Sequence, residues 1–374
     1  MFKTAIRFLS YDKPKSFGAL AGIVISIFLV GQQLGIFLFL TGAMKSIVEN
    51  NKGYIWVVDS KTNNANQLSS LDVRIGRHIE SIPGVQAVYP VVLTAAAAKF
   101  EDGTTAAMTL VGSMAPKFVG GPWKLDDTKK EAMLPDGAII TETFDAKLFG
   151  DLKLGEYFEL NGRKVFNAGK TKGVRAFGGA PFAFTTIERA RAIGNYPETK
   201  ASLFLVEWDQ NSDPQSVIAT INATITNVRA WNAEEFASVT VKTVLGSSGI
   251  AISVGSLILF AIISGFVIIG LTLYSAAIDR LRDYGTLKAI GASNGYIARL
   301  ILMQATILAV IGFVLGRLLV QGFKVGVANS GVMFEFPLSI QVGFFFLTFF
   351  IALGGSTFAI RKISRLEPAQ VFRG

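Results

Sequence analysis

Four stretches of this chain carry no acidic residue and are long enough to cross a bilayer core of roughly 30 Å: residues 18–41, 250–278, 300–320 and 337–360. A backbone in lipid must satisfy its own hydrogen bonds, so each stretch is expected to be a helix. The first run is too long for a signal-peptide core and has no clean cleavage site after it, so it is read as a span. A hydrophobic content of 51% agrees with a chain partly in lipid. The expected fold class is an α-helical membrane protein with four transmembrane helices and one mixed α/β extracytoplasmic domain.

The charge supports that division. Residues 1–17, 279–299 and 361–374 together hold twelve basic and four acidic side chains, a net +8 of the total +9. Such flanks face the cytoplasm by the positive-inside rule. Both termini are therefore expected inside and residues 42–245 outside, and no nucleic acid is needed to explain the basic balance. Cysteine is absent and His78 is the one histidine, which excludes thiolate, multi-histidine metal and His-dependent catalytic sites.

The expected organisation follows in order. Residues 1–17 hold an interfacial helix with Phe2, Ile6 and Leu9 on one face. Span one is 18–41. Its Gly31 and Gly35 stand at the small-residue spacing that lets helices approach, beside Gln32 and Gln33, which want hydrogen-bond partners in lipid. These four residues are the candidates for helix or dimer packing. Residues 42–245 read as strands and helices in alternation, with a β-rich, Gly-rich inserted lobe near 113–200. Asn161-Gly162 marks a two-residue hairpin turn. From 233, after the Asn232 cap, one stalk helix is expected to run to residue 280, with a soft point at Gly246–Gly249. Span two is 246–278, span three 300–323, the outer loop 324–336 and span four 337–360. Arg317 is read as reaching the headgroups. Gly169-Lys170-Thr171 is not a Walker A motif, because Lys164 stands where its first glycine belongs, and is expected at a hairpin end or loop.

Between spans two and three lies a short charged segment. Leu281, Tyr284, Leu287 and Ile290 recur at the spacing of one helix face, Arg282, Asp283 and Lys288 fall mostly off it, and Gly291 can end the helix. The apolar face is expected to be exposed in the isolated chain and to dock a partner.

This segment resembles the signature of MacB/FtsX/LolC-type ABC transporter permeases, an acidic-basic stretch followed by E-I-G-x-x-x-A-x-G-A. Asp283, Gly285, Ala289, Gly291 and Ala292 match, with Asp283 for the usual Glu and Tyr284 for the usual Ile. Y-G-T-L-K-A-I-G is closest in look to the DevC-type exporter permeases. The last residues, including Leu366, Pro368, Val371 and Phe372, extend the likeness. The resemblance implies a non-catalytic membrane subunit in the cell inner membrane. It implies a homodimer that works by mechanotransmission with a separate ABC ATPase, which alone binds ATP and magnesium. The coupling residues would be Leu281, Arg282, Asp283, Tyr284, Gly285, Leu287, Lys288, Ile290 and Gly291. Export through a periplasmic adaptor (membrane fusion) protein and an outer-membrane channel is the function implied first. An FtsX-like regulator of a cell-wall hydrolase and a LolC/LolE-like lipoprotein release permease stay open. The transported substrate is not readable from these residues.

Overall fold

Each apolar run folds as a helix longer than the run itself in the computed structural model, which describes residues 1–364 except Asp12, Gly150, Asp151, Gly179 and Asn329. Leu366, Pro368, Val371 and Phe372 lie outside the described residues. The elements in chain order are α1 Phe2–Tyr11, α2 Lys13–Glu49, β1 Ile55–Asp59, β2 Leu71–Asp72, α3 Arg74–Glu80, β3 Val85–Lys99, β4 Thr105–Ser113 and β5 Leu125–Asp126. Then come β6 Ala138–Glu142, β7 Tyr157–Leu160, β8 Arg163–Thr171, β9 Phe182–Thr186, α4 Ile187–Gly194, β10 Lys200–Ala201, β11 Leu203–Trp208, α5 Pro214–Thr224 and β12 Val228–Trp231. The chain continues through α6 Ala233–Ser248, α7 Ile250–Asp279, α8 Leu281–Ala289, α9 Asn294–Ala328 and α10 Leu338–Ser364. Two compact units result, one of residues 1–38 with 250–374 and one of residues 39–249.

In the first unit, α2, α7, α9 and α10 have the length and hydropathy of membrane spans. They approach closely where one side lacks a side chain. A Cβ on Gly31 would stand 2.4 Å from Val320, and one on Gly35 would stand 2.5 Å from the Phe334 ring. The shared core includes Ile23, Ile27, Ile269, Ile301 and Ile351. Exposed Leu259, Phe260, Leu271, Phe346 and Phe350 cover the outside, as lipid requires. Phe344 turns inward instead: it is buried, 5.7 Å from Phe336 ring to ring. The interfacial helix α1 forms as expected, but Ala5 and Phe8 turn inward while Phe2 and Ile6 remain exposed.

The second unit is built on a ten-stranded sheet in the order β12-β1-β11-β3-β4-β9-β6-β8-β5, with β7 on β3 and β8. Alternation along β1 sends Trp56 and Val58 to a core shared with Phe236 and the outer end of α2. Ile55 and Val57 go to the opposite core, under α3 and α5. β3 ties the halves together: Val85–Val91 pairs with β11 and Val92–Lys99 with β4. The expected inserted lobe is therefore a continuation of one sheet, and the change of partner falls inside β3 rather than at residue 113. That half has its own small core, with Leu110, Ile139 and Phe158.

Local chemistry fixes several boundaries. Asn161 and Gly162, at φ +49° and +77°, turn β7 into β8. Thr186, Asp213 and Asn232 cap α4, α5 and α6 through their side-chain oxygens. Gly169-Lys170-Thr171 forms the last three residues of β8, the far end of the β7–β8 hairpin rather than a loop, paired with β6 and, at Lys170 and Thr171, with β5. The expected 48-residue stalk helix is two helices instead. Gly249 adopts φ +66°, the left-handed end that closes α6 before α7 begins.

Candidate coupling site

α8 is bounded by two breaks. Arg280 leaves helical geometry between α7 and α8, and Gly291, at φ +97°, closes the other end. There Ala292 N–H donates to Leu287 O at 2.9 Å and Gly291 N–H to Lys288 O at 3.0 Å. The Ser293 hydroxyl accepts from Tyr296 N–H at 3.2 Å and starts α9.

The side chains reverse the expected exposure of the apolar face. Tyr284 is 2% exposed and its ring lies 5.5 Å from Phe8 of α1. Burial pushes its phenol above the ordinary value. Gly285 is buried too, and Leu281 and Leu287 are half-buried against the bundle core. Ile290 alone of the four stays in the open, at 77% exposure. The physical reason is that the ends of the spanning helices, together with α1, offer apolar surface close at hand. A sticky stripe on α8 is covered by its own chain first.

Lys288 has a different place from the one its off-face position suggested. Its Nζ donates to Ile363 O at 3.0 Å and Ser364 O at 3.2 Å, the carbonyls of the last two described residues of α10. Lys15 pairs with Asp279 at the end of α7. The Arg280 guanidinium lies 4.6 Å from the Phe8 ring and 4.7 Å from the Tyr11 ring. α8 is thus fixed to α1 and α10, and Tyr284 shares the bundle core with residues of α7 and α9. Its outward strip comprises Arg282, Asp283, Thr286, Ala289 and Ile290, with Gly291 at its edge. Thr286 Oγ1 donates to Arg282 O at 2.9 Å and so has its proton occupied.

Phe8, Lys15 and Arg280 were not among the expected site residues. Phe8 lies off the apolar face that periodicity groups, Phe2, Ile6 and Leu9, so the pattern of α1 did not point to it. The apolar face of such a helix can meet lipid or protein, and periodicity does not separate the two. Of the packing candidates, Gly31 and Gly35 pack within the chain. Gln32 and Gln33 are half-buried, and neither side chain makes a hydrogen bond among the described residues.

Comparison with known proteins bears on both units. Residues 16–224 match the MacB-like periplasmic core domain, and residues 255–368 match the FtsX-like permease C-terminal family. An uncharacterized ABC transporter permease of Mycobacterium tuberculosis strain H37Rv is 31% identical over 112 residues, 29% of this chain and 30% of that protein. Another, of Mycobacterium bovis, is 30% identical over 128 residues, 33% of this chain and 34% of that protein. The matched stretch thus spans about a third of the length of these relatives. The periplasmic region of MacB from Actinobacillus actinomycetemcomitans covers 54% of this chain and 99% of its own, with 11% identity and a TM-score of 0.37. The extracellular domain of the noncanonic ABC-type transporter YknZ from Gram-positive bacteria covers 48% and 98%, with 17% identity and a TM-score of 0.34. ABC transporter permease subunits are non-catalytic membrane components. With the MacB-like core matched over more than half its length and an FtsX-like C-terminal part after it, this chain belongs to the MacB/FtsX-type ABC transporter permeases, as a multi-pass membrane protein with a periplasmic core domain.

Proposed function

We propose that the chain couples ATP hydrolysis by a separate ABC ATPase subunit to movement of its own periplasmic domain, which drives export through a periplasmic adaptor and an outer-membrane channel. The observation that carries this reading is α8, a charged helix held on one side by the ends of the spanning helices and open on the other. A push on such a helix reaches α1 and α10 directly, because Tyr284 and Arg280 meet Phe8 and Lys288 meets Ile363, and it reaches α7 through the chain itself. The DevC-like branch is favoured by Tyr284-Gly285-Thr286-Leu287-Lys288. A homodimer in the inner membrane, with both termini in the cytoplasm, completes the proposal.

The docking strip in this reading is Arg282, Asp283, Thr286 and Ile290. Burying one large apolar side chain stabilises a contact by roughly 1.5–3 kcal/mol. Ile290→Asp should therefore weaken recruitment of the ATPase by about ten- to a hundredfold, at 1.4 kcal/mol per factor of ten. Purification of wild-type and Ile290→Asp chains from their native membrane, with the bound ATPase quantified and its turnover measured, tests this. Undiminished recruitment by a well-folded Ile290→Asp chain would place the coupling surface elsewhere. The same purification identifies the periplasmic partner. An adaptor supports export, whereas a peptidoglycan hydrolase or a lipoprotein carrier replaces it with one of the other two readings.

A further inference from the structure

One cleft in the membrane unit is not explained by coupling. It has a volume of about 20 Å³ and lies where α1, α7, α8 and α9 meet, walled by Phe8, Ala277, Tyr284 and Ile301 and with Lys15 and Ser16 also in its lining. Arg280 and Gln304 line it as well, and both are more than nine-tenths buried, at 9% and 7% exposure. Arg280 Nη2 and Gln304 Nε2 are fully enclosed donors with no acceptor in hydrogen-bonding geometry among the described residues, the Tyr284 hydroxyl being close to Gln304 without forming such a bond. Asp279, the adjacent carboxylate, is already engaged by Lys15. The rings of Phe8 and Tyr11 face the guanidinium but offer no hydrogen-bond acceptor of ordinary strength.

Two unmet donors and one buried cation without a counter-charge among the described residues are each costly. A water molecule would fit the volume and accept both hydrogen bonds, yet it would leave the charge of Arg280 uncompensated. A negatively charged oxygen meets all three requirements. The cleft lies at the charged ends of spanning helices, where basic pockets meet lipid headgroups. We propose that it binds a phosphate group, one oxygen of which enters to accept from Arg280 Nη2 and Gln304 Nε2 while the rest stays at the mouth beside Lys15 and Ser16. The same chemistry is offered by the headgroup of an anionic phospholipid and by free phosphate. The site needs only the membrane unit and is independent of any ATPase.

The test uses the full chain in nanodiscs of phosphatidylcholine with and without phosphatidylglycerol, with lipid retention read by native mass spectrometry. A third sample adds inorganic phosphate to pure phosphatidylcholine discs. Wild type should retain phosphatidylglycerol about fivefold over phosphatidylcholine, the weight of one cation facing an anionic headgroup. Arg280→Gln and Gln304→Leu should each remove that preference, and Lys362→Gln, an exposed cation of the α10 end, should keep it. Phosphate that binds in pure phosphatidylcholine and displaces phosphatidylglycerol identifies free phosphate as the source; retention of phosphatidylglycerol with no phosphate binding identifies the lipid. A wild-type chain that prefers neither anion holds only water there, and the proposal fails. It fails equally if the preference survives both Arg280→Gln and Gln304→Leu, since it would then be general surface charge. Should both variants misfold, phosphorus-to-guanidinium contact in solid-state NMR of the wild-type chain decides, and its absence overturns the site.

Discussion

At the scale of the residue, the periplasmic domain holds one cluster whose energetics depend on pH. Tyr89 Oη donates to Glu207 at 2.7 Å, and Lys117 Nζ donates to the same carboxylate at 3.0 Å and to Tyr89 Oη at 2.8 Å. The hydrogen bonds from Tyr89, then Lys117, hold the Glu207 carboxyl below its ordinary value of 4.5. An acid depressed on folding stabilises the folded state above its unfolded pKa, and that contribution is lost as pH falls through the folded pKa. The expected outcome is that Glu207→Gln lowers the denaturation midpoint at neutral pH, by an amount that shrinks as pH drops below 4.5. All four tryptophans, Trp56, Trp123, Trp208 and Trp231, lie in this domain, so their fluorescence follows its unfolding in the full chain. A gap between wild type and Glu207→Gln that stays constant with pH would show that the carboxylate charge is not what stabilises the cluster.

The element scale separates what the sequence reveals from what it hides. The hairpin at Asn161-Gly162, the cap at Asn232 and the helix end at Gly291 were legible, because each is a local rule enforced by one or two side chains. The full length of β3 was not. Its second half reads Ala95-Ala96-Ala97-Ala98, a run with low strand propensity that forms strand because β4 and β7 pair with it. The face of α8 was half legible: periodicity groups Leu281, Tyr284 and Leu287 but does not say which neighbour covers them. Lys288 shows the cost of that gap, since its role is set by the end of α10, 75 residues away in sequence. Lys288→Glu removes two donors from those carbonyls and sets a negative charge against the negative helix end, a change of about 1–2 kcal/mol. Amide exchange over the last turn of α10 should then quicken by about tenfold, at 1.4 kcal/mol per factor of ten. Unchanged protection of that turn in Lys288→Glu would mean that its contact with the α10 carbonyls contributes nothing to the helix.

At the scale of the whole molecule, the placement of charge decides which way the chain threads the bilayer. The three flanks that carry net +8 adjoin the starts of α2 and α9 and the ends of α7 and α10, the same end of each antiparallel pair in sequence. The positive-inside rule counts Lys and Arg within short loops and near span ends, and the loop between α9 and α10 holds neither. Residues 279–299 should therefore face the cytoplasm, and the β3–β4 turn and the α9–α10 loop the opposite side. The absence of native cysteine makes this directly measurable, since every introduced thiol is the only one present. Glu101, at the exposed β3–β4 turn, Asn294, at the exposed start of α9, and Ser330, exposed after α9, are suitable single positions for cysteine. A membrane-impermeant maleimide applied to spheroplasts should label Glu101→Cys and Ser330→Cys at once, and Asn294→Cys only after the membrane is opened. Labelling of Glu101→Cys and Asn294→Cys from the same side would break the four-span threading. The docking strip on α8 would then no longer face the compartment where ATP is abundant, and the proposed coupling would fall with it.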